Sequence, residues 1–169
     1  MRRLKNFLLP IAFVLSLGNA AAADMLGEPT GPVVLTVSGA IEKTNDGDMA
    51  VFDRDMLRDL GWTTIEGYTR WTDGATEFAG VELATVLEAV GARGTNIVAT
   101  ALNDYSVEIP SVDAEEHNVL LALEVNGETM KIRDKGPIWV IYPQTEAQSE
   151  EPQFDEKMIW QLKSIQIID

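Results

Sequence analysis

Short runs of apolar and β-branched residues, separated by turn residues, recur along the chain and predict strands. The runs that predict strands are 33–41, 62–69, 96–102, 106–110, 119–125, 129–133, 138–141 and 157–168. Apolar residues at helical spacing are confined to short segments, and the clearest ends at Val90 before Gly91. Because strands and helices do not alternate regularly, the pattern predicts one α+β domain with short helices and a mixed, barrel-like β-sheet.

Several residues predict where these elements begin and end. Asp53 is suited to cap the N-terminus of a short helix, and Gly61 to end that helix in the left-handed conformation. Ser111 could cap another short helix, and Asn126-Gly127 predicts a hairpin turn between the strands on either side. The acidic segment 144–154 predicts a solvent-exposed loop.

The first residues have the three-part layout of a secretory signal peptide. Basic residues come first, followed by the apolar run Phe7–Leu17 and then small residues, with an Ala-x-Ala before the bonds after Ala22 and Ala23. The apolar run is too short to span a bilayer, so no membrane insertion of the mature chain is expected. The sequence thus predicts a signal peptide over 1–23, a flexible leader over 24–32, one domain over 33–169, and a periplasmic location after cleavage near Ala22 or Ala23.

Composition narrows the possible partners and chemistry. The 169 residues include no cysteine, which removes disulfides, thiolate metal sites and thiol nucleophiles. The net charge is −14, and loss of Arg2, Arg3 and Lys5 would leave 10 basic against 27 acidic residues, a charge of −17. Such a chain repels nucleic acid and anionic lipid, and the charge favours solubility.

Common catalytic patterns are absent from the sequence. His117 is the single histidine and lies in a polar context that is typical of a surface residue. A single histidine in such a context excludes a Ser-His-Asp triad in its usual form and a multi-histidine zinc site. The sequence also contains neither of the common Gly-rich phosphate loops. The sequence favours binding over catalysis.

Aromatic and polar residues are concentrated at three predicted corners of the sheet. Planar ligands rich in hydrogen-bonding groups need this mixture, since rings stack, carboxylates accept N–H bonds and cations pair with oxygens. Trp71 lies in a polar loop and is the better candidate for a ligand face, whereas Trp139 and Trp160 lie on apolar strands and are more typical of a core. The candidate site residues are Trp71, Asp104, Tyr105, Arg133, Lys135, Trp139 and Tyr142.

Three segments together resemble the sulfite-oxidase-type molybdopterin-binding domain, and more closely its small exported members. These segments are Asn103-Asp104-Tyr105 with the strand through Pro110, the run Arg133–Pro143, and Trp160-Gln161-Leu162. The resemblance extends over about 32–168 and implies a mixed α+β fold with a cleft of pterin size.

One departure from that family bears on function. Its enzymes ligate molybdenum through a cysteine thiolate ahead of the segment that matches Phe78–Leu83, and the corresponding stretch Glu66–Arg70 contains no sulfur. Since oxygen ligands do not replace a soft thiolate, this departure argues against molybdopterin and against an enzyme. The sequence is similar to cysteine-free relatives, the PruR-type periplasmic pterin-binding proteins.

That similarity implies a metal-free pterin ligand and a partner, the periplasmic sensor domain of an inner-membrane signalling protein of cyclic di-GMP turnover. For such a ligand we expect that Trp71 or Tyr105 stacks on the pterin, that Asp104 accepts from its amino edge, and that Arg133 and Lys135 hold oxygens of the ring or side chain. Two alternatives remain open. One is a molybdopterin-dependent oxidoreductase of the sulfite oxidase type with a cysteine-free site, and the other is an interaction module without a ligand.

Overall fold

A computed structural model of the chain describes residues 26–169. The signal peptide and the first two residues of the leader that the sequence predicts lie outside this range. None of the helices in residues 26–169 has both the length and the apolar character needed to cross a membrane.

Residues 26–169 fold into two β-sheets and four short α-helices, in agreement with the α+β prediction. The first sheet has the strand order β2-β1-β10-β5-β6, and the second has β3-β4-β7-β8 with β9 paired to β7. The strands are β1 Val33–Gly39, β2 Ala50–Asp53, β3 Thr63–Gly67, β4 Thr76–Glu82, β5 Asn96–Ala101, β6 Ser106–Pro110, β7 Leu120–Val125, β8 Glu128–Thr129, β9 Trp139–Ile141 and β10 Leu162–Ile168. The helices are α1 Arg54–Leu60, α2 Leu83–Val90, α3 Asp113–Glu116 and α4 Glu146–Ser149.

The first sheet is mixed because β1 and β10 run parallel, with Thr36 opposite Ser164, while its other neighbours are antiparallel. The second sheet is antiparallel throughout. Both sheets are open, so the mixed sheet is confirmed and a closed barrel is not formed.

One continuous hydrophobic cluster joins the two sheets and the helices α1 and α2. Alternate residues of the strands supply it, such as Leu35 and Val37 of β1, because successive side chains of a strand point to opposite faces. The strand β9 is buried on both faces. Buried β9 pairs with β7, and its first residue, Trp139, forms a bridge with Trp160 ahead of β10.

The predicted start and end of α1 are confirmed, but the predicted left-handed conformation of Gly61 is wrong. The Asp53 carboxylate accepts a hydrogen bond from the Met56 amide at 2.8 Å, as an N-cap does. Gly61, however, has φ 156° and ψ 133°, an extended conformation that leads directly into β3. Gly91 after α2 does take the left-handed conformation, with φ 63°.

Three other local predictions differ from the structure. Ser111 donates its hydroxyl to the carbonyl of Gly94 and does not cap α3. The hairpin partner β8 has two residues, because the chain then turns into a 3-10 segment, Ile132–Asp134. The segment 144–154 is folded, since α4 has a capping box at Thr145 and Pro152–Phe154 forms a second 3-10 turn.

Gly80 lies where β4 approaches β7, beside a register shift between Ala79 and Gly80. A Cβ atom at this position would overlap the carbonyl oxygen of Leu121. We expect Gly80→Ala to lower the free energy of unfolding by about 1–3 kcal/mol, the usual cost of overpacking. Urea denaturation measures this change. Gly27→Ala is the matched control, because a Cβ there meets no atom within 4 Å, and an equal loss in both variants would contradict the prediction.

Candidate ligand-binding cleft

A cleft of about 280 Å³ opens beside the buried strand β9. Three segments form its walls: the loop after β3, the corner between β5 and β6, and the chain that leads into β10. Its lining residues are Trp71, Ala101, Asn103, Tyr105, Asp155, Glu156, Met158, Ile159 and Trp160. The volume is slightly below the usual range of small-molecule sites, about 300–1,000 Å³, which suits a compact ligand.

Aromatic rings form much of the wall. Trp71 is half-buried and meets Trp160 edge to face, with the ring centroids 5.5 Å apart at 90°. Trp160 is 38% exposed and Tyr105 is 50% exposed, so both rings offer surface to a ligand. The core prediction for Trp160 is therefore wrong. Trp160 lies in the short approach to β10, outside the strand itself.

Trp139 supports the cleft from beneath and does not line it. Its side chain is 1% exposed and donates its indole N–H to the Met158 carbonyl at 3.0 Å. Its ring also packs edge to face against Trp71, Trp160 and Phe78. The prediction that Trp139 belongs to a core is confirmed, and its contribution to the cleft is to position Trp71 and Trp160.

The two candidate cations lie in different environments. The Lys135 ammonium is 5.1 Å from the ring centroid of Trp139 and 5.9 Å from that of Trp160, so it lies at the aromatic cluster. The Arg133 side chain is 77% exposed and contacts the neighbouring Asp134. Of these two cations, Lys135 is the one that lies at the aromatic cluster beside the cleft.

Asp104 points away from the position that the sequence predicts for it. Its carboxylate is 2.5 Å from the Lys163 ammonium, and its side chain is 83% exposed. The hydrogen bond from Lys163, together with its charge, lowers the pKa of Asp104. Asp104 does not line the cleft, whereas its neighbours Asn103 and Tyr105 do.

Asp155 is the acidic residue set deepest in the cleft wall. Its side chain is 15% exposed, and Oδ2 is buried without accepting a hydrogen bond from any group in residues 26–169. Arg70 Nη1 lies 2.8 Å from the same oxygen, a charge contact that lacks hydrogen-bond geometry. Since Arg70 precedes Trp71, this ion pair joins two walls of the cleft.

A buried carboxylate, that of Asp113, holds the segment that carries Asp155 and Glu156 through its hydrogen bond with Lys157. The Tyr142 hydroxyl donates to Asp113 at 2.8 Å, and the Lys157 ammonium donates to the same carboxylate oxygen at 2.7 Å. Burial acts to raise the pKa of Asp113, but the hydrogen bonds from Lys157 and Tyr142 outweigh it, so the pKa is lowered. Burial and the Asp113 carboxylate raise the pKa of Tyr142. Tyr142 is completely buried and belongs to this support, not to the cleft surface.

His117 is half-buried against the rings of Tyr142 and Phe154, with centroids 5.9 and 4.8 Å away. His117 is thus only partly at the surface, because the end of α3 packs against this aromatic pair, which its polar sequence neighbours did not reveal. Phe154 in turn stacks on Tyr142 at 4.5 Å. The supposed solvent loop thus contributes packing beneath the cleft.

Comparison with known proteins identifies the domain. The sequence profile of the oxidoreductase molybdopterin binding domain matches residues 54–150, more than half of the chain. The chain belongs to this family. The match begins at α1 and ends just after α4, so the oxidoreductase molybdopterin-binding domain profile does not include Asp155 or Trp160.

A solved structure has the same fold as this member of the molybdopterin-binding domain family. The crystal structure of the sulfane dehydrogenase SoxCD from Paracoccus pantotrophus superimposes with a TM-score of 0.62 at 19% sequence identity. The superposition covers 80% of this chain and 38% of that chain. The chain therefore spans well under half of the length of SoxCD. No curated protein sequence matches the chain.

The cleft fits the two parts of a molybdopterin cofactor unequally. The pterin ring of the cofactor is planar, and the cleft offers it aromatic walls and a carboxylate. The metal finds no thiolate, because the sequence contains no cysteine, and residues 26–169 bring no three histidine or carboxylate side chains together as a metal site. Met158 is the sulfur at the cleft, and its thioether already accepts from Gln144 at 3.5 Å. The residues fit the pterin and do not fit the metal.

Proposed function

We propose that this chain is a periplasmic protein that binds a pterin without a metal and regulates a membrane-bound signalling enzyme of cyclic di-GMP turnover. The observation that carries this proposal is an aromatic cleft, in a molybdopterin-binding domain, that contains a carboxylate and no thiolate. Binding of a pterin needs only the aromatic cleft and the carboxylate, whereas oxidoreduction at molybdenum in this family needs the thiolate that is missing here.

The lining residues have clear roles in such a complex. Trp71, Tyr105 and Trp160 present ring surface on which a bicyclic heterocycle stacks. The Lys135 ammonium lies close enough to the cluster to pair with an oxygen of the ring or of its side chain. Each contact orients the ligand, and none requires a chemical step.

A regulatory role needs a surface that responds to the ligand. The segment Ile132–Asp134 is exposed, with Ile132 at 60%, and the next residue, Lys135, lies over the Trp139 and Trp160 rings. A ligand that moves Lys135 would alter this exposed turn. The turn is thus a suitable contact for the sensor domain of a signalling protein, and binding of that domain with and without pterin tests the idea.

The first experiment is mass spectrometry of small molecules released from protein purified from its own periplasm, with metal content measured on the same sample. We expect a pterin at near-equal stoichiometry and no molybdenum. A sample that contains neither pterin nor metal, and does not take up added pterin, would leave an interaction module without a ligand and would contradict the proposal.

Family membership favours a second candidate, a molybdopterin-dependent oxidoreductase with an atypical cysteine-free site. Its related fold in SoxCD belongs to a sulfane dehydrogenase. Stoichiometric molybdenum together with a pyranopterin in the same purified sample would establish this candidate instead. The cleft residues would then hold the organic part of the cofactor.

Removal of the Trp71 ring from the cleft tests the proposed binding site directly. We expect Trp71→Ala to weaken pterin binding about 10- to 100-fold, since stacking of a heterocycle on an aromatic side chain contributes about 1–3 kcal/mol. Isothermal titration calorimetry measures the affinity. Trp62→Ala is the matched control, because Trp62 is also half-buried but does not line the cleft. The guanidinium carbon of Arg58 lies over its ring, 4.0 Å from the centroid. Equal affinity of the two variants would exclude Trp71 from the site.

A further inference from the structure

We infer that Asp155 is the residue that selects the ligand, by accepting N–H bonds from the amino edge of a planar heterocycle. The inference rests on the proposed pterin binding and extends it, because it assigns the chemical feature that the cleft recognises. The sequence places this role on Asp104, but the structure brings a different carboxylate to the cleft.

The position of Asp155 carries the argument. It lies in the wall, 15% exposed, next to the exposed rings of the cleft. Its buried Oδ2 accepts no hydrogen bond from residues 26–169, although an ionised carboxylate offers about four acceptor sites. Arg70 Nη1 lies 2.8 Å from the buried Oδ2, so the other carboxylate oxygen is the acceptor that remains available to a ligand in the cleft.

The chemistry of the wall restricts the donor. A carboxylate is an acceptor only, so the ligand must present N–H or O–H groups to it. A ring stacked on Trp71 or Trp160 would meet Asp155 with an edge, and an N–H group on that edge can donate to the carboxylate oxygen that Arg70 does not hold. The 2-amino group of a 2-aminopyrimidinone is such a donor. A dione ring has a carbonyl there, and two acceptors would face each other.

The other acidic residues do not offer this arrangement. Asp104 is occupied by Lys163 and does not line the cleft. Glu156 lines the cleft but is exposed, so water satisfies its oxygens. Arg70 balances the charge of Asp155 without supplying a hydrogen bond, and it leaves the carboxylate available as an acceptor.

A pair of probes that differ at this edge tests the inference. Isothermal titration calorimetry compares 6-methylpterin with 6-methyllumazine, which has a carbonyl in place of the 2-amino group. We expect the wild-type protein to prefer the pterin, and Asp155→Asn to reduce that preference about 10- to 100-fold, as loss of a charged hydrogen bond does. Glu156→Gln removes the same charge at the neighbouring position and should retain the preference.

The outcomes separate this inference from the proposed function. If the wild-type protein binds the pterin but Asp155→Asn leaves the ratio of affinities unchanged, Asp155 serves only to balance Arg70 and the inference is overturned. If the wild-type protein binds neither probe, the proposed function fails as well. Arg70→Gln guards against a folding defect in the Asp155→Asn variant, because it removes the same ion pair but keeps the carboxylate. We expect Arg70→Gln to retain the preference for the pterin. Loss of the preference in Arg70→Gln would count against Asp155 as the selecting group.

Discussion

Trp139→Ala is expected to lower the free energy of unfolding by about 3–5 kcal/mol, the range for truncation of a large buried aromatic residue. The side chain is 1% exposed, so its removal leaves a cavity at the centre of the aromatic cluster. It also leaves the Met158 carbonyl without the indole N–H that donates to it. Because Trp71 and Trp160 both rest on this ring, the cleft should lose its shape as well as its support.

Urea denaturation followed by circular dichroism measures this loss. Trp160→Ala is the control, since it removes the same side chain type from the same cluster at a position that is 38% exposed. We expect the control to lose clearly less stability, because its ring was already partly hydrated. Equal losses for the two variants would mean that the cluster does not depend on burial of Trp139.

Asp113→Ala is expected to cost about 2–4 kcal/mol of unfolding free energy at neutral pH, because it removes the acceptor of two buried donors. The Tyr142 hydroxyl and the Lys157 ammonium both depend on this carboxylate. Lys157 is partly exposed and regains some hydration, whereas Tyr142 is fully buried and does not. The segment that carries Asp155 should loosen at the same time.

The stabilisation by Asp113 should depend on pH in a defined direction. The pKa of Asp113 is lowered in the folded state from its ordinary value of 3.8, so folding favours the ionised form. The contribution is therefore fully present above that ordinary value and is lost as the pH falls toward the lower folded value.

Denaturation of wild type and Asp113→Ala at pH 7 and near pH 3 tests this dependence, and the difference in stability should shrink at the acidic pH. Asp113→Asn is the companion variant, because it keeps an acceptor for Tyr142 but removes the charge opposite Lys157. Its stability should change less with pH than that of the wild type. A difference between wild type and Asp113→Ala that is constant with pH would show that only packing is lost.

Local signals were sufficient for most of the fold. The N-cap at Asp53 and the C-cap at Gly91 follow from side-chain chemistry within a few residues, and the structure confirms both. Gly61 differs because β3 begins immediately after α1, so the chain must extend where an isolated helix would turn left-handed. The segment 144–154 differs because its packing partner, Tyr142, becomes visible only in three dimensions.

The residues of the cleft were predictable only where a local sequence signal exists. Aromatic residues in polar loops, such as Trp71 and Tyr105, can be recognised in sequence, and the structure places both at the cleft. Asp155 carries no local signal, since its place beside Arg70 depends on how two distant segments meet. Asp104 was the more conspicuous carboxylate in sequence, but in the structure it pairs with Lys163 on the distant strand β10.

The parallel pairing of β1 with β10 has a consequence for how the molecule is made. These strands lie at opposite ends of the domain sequence, so the first sheet lacks its central strand until Leu162–Ile168 is available. Contacts of such long sequence separation form slowly, since the chain between them must be ordered first. A nascent chain emerging from the ribosome would therefore keep its first sheet incomplete until the residues of β10 have been synthesised.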